Sequence, residues 1–245
     1  MRGAIIITPV KNSIDTAKKS IAAVRACAPE NSYYVYNDNS DVPATETLER
    51  LSETLKFKLI HLSDITSKPS PNYDIVLREA QKKALEQDKH LIIVESDVVI
   101  RPETIPSLLE FANQKEKLAM VAAITVDESG EINYPFVPFK DVPEKIIPTR
   151  KIMSFSCTLI TNEFMKNYSF ADLDHSQDWF DTIISEDAIK MGFSNIILKD
   201  VSVIHYPHSS RPWKYLKYKN PLKYYFIKIF KGKKSLQSGA SPSTT

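Results

Sequence analysis

Apolar and polar residues alternate along the first half of the chain in blocks that switch between two periods. Ile5–Thr8 is an apolar run of strand length, and Ile14, Ala17, Ile21 and Val24 then recur at helical spacing. Tyr33–Tyr36 predicts a second strand, ending in the polar turn Asn37-Asp38-Asn39-Ser40-Asp41. Pro43 suits the first turn of a helix with Leu48, Leu51 and Leu55 on one face. Phe57–Leu62, His90–Val94 and Leu118–Thr125 predict further strands. Asn72 is expected to cap a helix carrying Ile75, Val76, Ala80 and Ala84, and Pro102 to open another reaching about Ala112. Strands alternating with helices of this length imply an α/β fold with a mostly parallel sheet covered on both faces. Ligands of such sheets sit at the carboxyl ends of the strands, where the polar clusters after Tyr36 and Val94 fall.

Beyond Val126 the alternation breaks. Prolines 135, 138, 143 and 148 predict a long loop to Lys151, followed by a strand over Met153–Ile160. Ser185 is expected to cap a short helix, Glu186–Met191, that Gly192 terminates. Two short strands, Asn195–Leu198 and Val201–His205, complete the pattern.

Composition narrows the chemistry by exclusion. Five glycines, none clustered, leave no G-x-G-x-x-G fingerprint and no phosphate-binding P-loop. The two cysteines, Cys27 and Cys157, have no metal-site spacing and read as small buried hydrophobes. No apolar run is long enough to cross a bilayer and no secretory signal is visible, so a cytoplasmic location is expected. The net charge of +2 conceals an asymmetry: residues 201–245 carry +9 and no acid, leaving −7 for residues 1–200. Leu222, Tyr225, Phe226, Ile229 and Phe230 fall on one helical stripe among lysines. This predicts binding to an anionic membrane surface rather than to nucleic acid.

Several residues carry candidate chemistry. Glu95 and Asp97 end an apolar strand with two hard oxygen ligands that suit Mg²⁺ or Mn²⁺, although a polar strand end explains the pair equally well. Asp38 offers an acceptor for a base or ribose, yet Asp, Asn and Ser are what turns prefer in any case. Glu186 and Asp187 read either as a general base or as acids stabilised at a helix start. His205 ends a strand as Asp97 does, and Trp179 with Phe180 forms either a sugar platform or core.

Taken in order, these features resemble family 2 glycosyltransferases of the GT-A fold, over about residues 4–210. The resemblance rests on Thr8-Pro9-Val10-Lys11-Asn12, Asn37-Asp38-Asn39-Ser40, Leu77-Arg78-Glu79-Ala80, Glu95-Ser96-Asp97 with Pro102, Glu186-Asp187, Gly192-Phe193 and His205. Asn37 and Glu95 each stand where the family pattern has an aspartate. It implies a Rossmann-like nucleotide-binding GT-A domain over 1–210, with a nucleotide-sugar-binding half to about 125 and an acceptor-binding half over 126–210. Basic aromatic membrane-associating helices over 211–234 and a disordered tail over 235–245 would follow.

It also implies roles. Asp38, with Thr8, Pro9 and Val10 alongside, would bind the nucleoside. Arg78, Glu95 and Ser96 would lie by the nucleotide, and Asp97 with His205 would hold Mn²⁺ or Mg²⁺. Asp187, backed by Glu186, would be the base of an inverting transfer from a nucleoside-diphosphate sugar to a glycan or lipid-linked acceptor at the inner face of the membrane. Asp178, Asp181 and His175 are the alternatives for the base. Rival readings are a nucleotidyltransferase on a related fold, a non-catalytic membrane-associated sugar-binding protein, and a metal-dependent phosphohydrolase using Glu95, Asp97, His205 and His208.

Overall fold

Ile5 and Ile7 face one side of a central sheet and Ala4 and Ile6 the other, and this alternation divides the core in two. The structure is a computed structural model that describes residues 1–150, 153–174 and 179–206, within one unit spanning Met1–Tyr206. The expected helices over 211–234 and tail over 235–245 lie outside the described residues.

The strands among the described residues are β1 (Ala4–Val10), β2 (Ser32–Asn37), β3 (Lys58–His61), β4 (His90–Val94), β5 (Val98–Val99), β6 (Leu118–Val126), β7 (Ile146–Thr149), β8 (Cys157–Ile160) and β9 (Ser194–His205). They form one sheet in the order β3-β2-β1-β4-β8-β6-β9-β5, with β7 also paired to β9. β3, β2, β1, β4, β6 and β9 run in one direction; β8, β5 and β7 oppose them. The expected mostly parallel α/β sheet is therefore present, and its two sequence halves share it without a break.

Helices α1 (Ile14–Cys27), α2 (Val42–Leu55) and α4 (Thr104–Gln114) cover one face through Ile21, Leu48 and Leu108. Helices α3 (Tyr73–Glu86), α5 (Asn162–Asn167) and α6 (Phe180–Lys190) cover the other through Leu77, Phe164 and Ile184. Asp41 caps α2 by accepting from the Ala44 amide at 2.9 Å.

Four local expectations are corrected. Asn72 precedes α3 but makes no side-chain cap; its side-chain amide is turned to donate from Nδ2 to Asp38. The loop after Val126 contains β7, whose Ile147 is buried against β9 despite Pro148. The strand expected from Met153 begins only at Cys157. Asn195–Leu198 and Val201–His205 are one strand with an irregularity between Leu198 and Ser202, where Lys199 and Asp200 are pushed out. There the Lys199 amide donates to the Lys145 carbonyl at 2.8 Å.

Candidate active site

Four strands deliver polar residues to one edge of the sheet: β1 ends at Val10, β2 at Asn37, β4 at Val94 and β9 at His205. Immediately past β4 the chain turns, the Val98 amide donating to the Glu95 carbonyl at 3.1 Å. Glu95 and Asp97 converge through this turn. The turn is anchored from three sides. The Glu95 amide donates to the Ser156 carbonyl, the Ser20 hydroxyl donates to the Glu95 carbonyl at 3.0 Å, and the Tyr206 amide donates to the Asp97 carbonyl.

β5 follows directly and pairs antiparallel with the end of β9, Val98 opposite His205 and Val99 opposite Ile204. This short ladder sets the His205 ring against Asp97, Nε2 lying 3.3 Å from Oδ2. The other ring nitrogen, Nδ1, lies 2.7 Å from the Tyr134 carbonyl, an acceptor only, so it carries a proton. The neutral ring then presents the Nε2 lone pair towards Asp97. Burial works against the charged imidazole, but Asp97, Glu95 and the Tyr134 carbonyl together outweigh it and raise the His205 pKa. Glu95, Asp97 and His205 each offer one ligand atom within 4.8 Å of the others. Ser96 is buried inside the turn.

The remaining candidates fall differently. Asp38 is at the same edge and buried, but its carboxylate is engaged within the chain. Oδ2 accepts from the Ser70 hydroxyl at 2.6 Å and the Asn72 amide at 3.0 Å, and Oδ1 accepts from Asn72 Nδ2 at 2.8 Å. Asp38 thus orders the segment leading into α3. Its neighbour Asn37, in place of an acid, bridges Thr45 and His61 through Nδ2 and accepts from the Ser40 amide. Thr8 and Val10 are strand residues buried in the core, and the Thr8 hydroxyl accepts from Tyr33 at 2.8 Å. Of that trio only Pro9 is partly exposed. Arg78 donates from Nε to the Phe170 carbonyl at 3.3 Å and lies 3.8 Å from Asp74.

Glu186 and Asp187 are not brought to this edge. Ser185 does not cap a helix start. It lies inside α6, its hydroxyl donating back to the Asp181 carbonyl at 2.6 Å. α6 runs down the sheet, since β9 begins just after it at Ser194, opposite Leu118 at the start of β6. Asp187 therefore lies towards the opposite, amino edge, accepting from Tyr168 at 3.0 Å and paired with Lys190 at 2.8 Å; Glu186 is exposed. A carboxylate in the first turn of α6, Asp181, occupies the end that faces the cluster. Its charge and those of Glu95 and Asp97 all act on the Tyr73 hydroxyl. An apolar stripe at Phe180, Ile184 and Ala188 is the sequence signal for the longer helix. Trp179, just before it, is 52% exposed. His175, Asp178 and His208 lie outside the described residues.

The sheet and this polar edge define an α/β domain of the GT-A class. Its family follows from the sequence: the model of Glycosyl transferase family 2 matches residues 5–169, so the chain belongs to that family. The fold is similar to that of S. aureus TarS residues 1–349, with TM-score 0.58, 14% identity, and coverage of 88% of this chain and 62% of that one. It is also similar to the mannosyltransferase PcManGT from Pyrobaculum calidifontis in complex with GDP-Man and Mn²⁺, with TM-score 0.60, 12% identity, and coverage of 98% and 66%. The chain thus spans under two thirds of the length of either neighbour, at 62% and 66%. No curated protein matches it in sequence. Among the described residues no helix is long and apolar enough to cross a membrane.

Proposed function

We propose that the chain is a metal-dependent inverting glycosyltransferase, moving a sugar from a nucleoside-diphosphate sugar to a glycan or lipid-linked acceptor in cell-surface polysaccharide synthesis. The observation that carries this reading is the Glu95–Asp97–His205 cluster at the ligand-binding edge of a family 2 domain. Two carboxylates and an imidazole whose tautomer is set by Tyr134 fit Mn²⁺ well, and Mg²⁺ less well because it favours oxygen. Such an ion would offset charge on the departing nucleoside diphosphate. The presence of Mn²⁺ and GDP-Man in one structural neighbour supports the cofactor and donor class.

The chain's own residues supply the rest. Asp181 takes the proton from the acceptor hydroxyl, a role its position supports better than that of Asp187 or Glu186. Asp38 holds the Ser70–Asn72 segment, and with Pro9 and Arg78 shapes the nucleoside side. The basic segment after residue 206 places the protein on an anionic cytoplasmic membrane face, a reading supported by charge and aromatic content alone.

Calorimetry with a panel of nucleotide sugars, with and without Mn²⁺, tests the proposal. At least one sugar nucleotide is expected to bind only with the ion and to release nucleoside diphosphate slowly. Asp97→Asn is expected to lose both properties while remaining folded; full transfer by that variant would overturn the reading.

A further inference from the structure

Tyr73, the first residue of α3, has no part in the roles above. It directly follows Asn72, which holds Asp38. Its ring lies between those of Phe155 and Phe180, with centroids 6.3 and 6.4 Å away and planes within 10° and 7° of parallel. Each flanking ring is one residue from the site. Ser156, next to Phe155, accepts from the Glu95 amide, and Asp181 directly follows Phe180. The stack therefore fixes the tyrosine between the metal-binding turn and the carboxylate at the start of α6.

The Tyr73 hydroxyl is buried and has no hydrogen-bond partner among the described residues. Burial first, then the charges of Glu95, Asp181 and Asp97, hold its ionisation well above the ordinary tyrosine range, so it stays a donor. An enclosed donor without an acceptor costs about 1–3 kcal/mol, which a phenylalanine here would avoid. Both carboxylate oxygens of Asp97 are buried as well.

We infer that the Tyr73 hydroxyl donates a hydrogen bond to an oxygen of the diphosphate-sugar portion of the donor, making it a specificity residue for the transferred end. The placement follows from its neighbours: in a displacement, the transferred group lies between the ion that holds the leaving diphosphate and the base that receives the proton. The carboxylates Glu95, Asp97 and Asp181 repel phosphate and add no donors, whereas this hydroxyl supplies one. The inference rests on the glycosyltransferase reading.

Tyr73→Phe tests it, because the variant keeps the stack and removes only the hydroxyl. The wild-type chain and the variant are compared for binding of a nucleotide sugar, its nucleoside diphosphate and its nucleoside monophosphate, each with Mn²⁺. The variant is expected to melt at or above the wild-type temperature and to bind the nucleotide sugar roughly 2- to 13-fold more weakly. Weakening on the nucleotide sugar alone identifies a sugar hydroxyl as the acceptor; equal weakening on the diphosphate identifies a phosphate oxygen. Either supports the inference. Unchanged affinities, an equal loss on the monophosphate, or a lower melting temperature would overturn it. Failure of the wild-type chain to bind any of the three overturns the glycosyltransferase reading itself, and this inference with it.

Discussion

Replacing Asp181 and Asp187 separately by asparagine distinguishes a base at the start of α6 from one near its end. The two carboxylates are six residues apart, about 9 Å along a helix that leads away from the metal-binding turn. Loss of a positioned general base costs roughly 10²- to 10⁴-fold in turnover, or about 3–5 kcal/mol of barrier. Asp187→Asn keeps an acceptor for the Tyr168 hydroxyl and gives up mainly the pair with Lys190, whose side chain is 70% exposed. An exposed pair of that kind contributes little to stability, so the melting temperature should hardly change. Initial rates of nucleoside diphosphate release at saturating donor and Mn²⁺, with donor affinity measured in parallel, give the comparison. The expected outcome is a collapse of turnover in Asp181→Asn at near-normal donor affinity, with Asp187→Asn close to wild type. A collapse in Asp187→Asn alone, with donor affinity retained, would refute the placement of the base.

Two further outcomes follow from other parts of the molecule. His90 is buried at the start of β4, accepting from the Asn162 amide at 3.1 Å, and burial, followed by Arg2, lowers its pKa from 6.5 to about 4. The unfolded chain binds this proton below pH 6.5 and the folded chain does not until about pH 4. Stability is therefore complete above pH 6.5 and is lost on acidification through that window, by roughly 2 kcal/mol after allowance for partial solvent access. Urea denaturation from pH 7 to 4 should show a shallower decline in His90→Gln, and identical slopes would count against it. For the basic segment, the full chain should co-sediment with anionic but not neutral vesicles, and a chain ending at Tyr206 with neither. Equal sedimentation of both chains would remove the membrane proposal.

Much of the sheet was legible because its strands are buried on both faces and read as continuous apolar runs, as in Ile5–Ile7 and Leu91–Val94. The ends of those runs also singled out Asp38, Glu95, Asp97 and His205, polar residues where apolar strands stop abruptly. The start of α6 was obscured by its composition. Thr182, Ile183 and Ile184 are β-branched and Ser185 imitates a cap, so local propensity concealed a helix that packing through Phe180, Ile184 and Ala188 enforces. With that start hidden, Glu186 and Asp187 read as the first turn of a helix when they lie near its end. β5 and β7 had no independent signal. A two-residue strand and one containing Pro148 exist only because the far end of the chain, β9, returns to pair with both. The enclosure of Thr8 likewise depends on Tyr33 on a neighbouring strand, which no local pattern reveals.

The ladder joining Val98 to His205 has a consequence for the order of assembly. It unites residues from the middle of the chain with the last described strand, so it is among the most sequence-distant pairings in the sheet. Contacts of such separation form late, after the chain entropy between them has been lost. The cluster is thus incomplete in any partly folded or partly synthesised chain that has reached Glu95 and Asp97 but not His205. Ion binding would then act as a latch on the completed fold, stabilising the native chain in proportion to free metal. An unfinished chain would hold only two carboxylates and would compete poorly for the same ion.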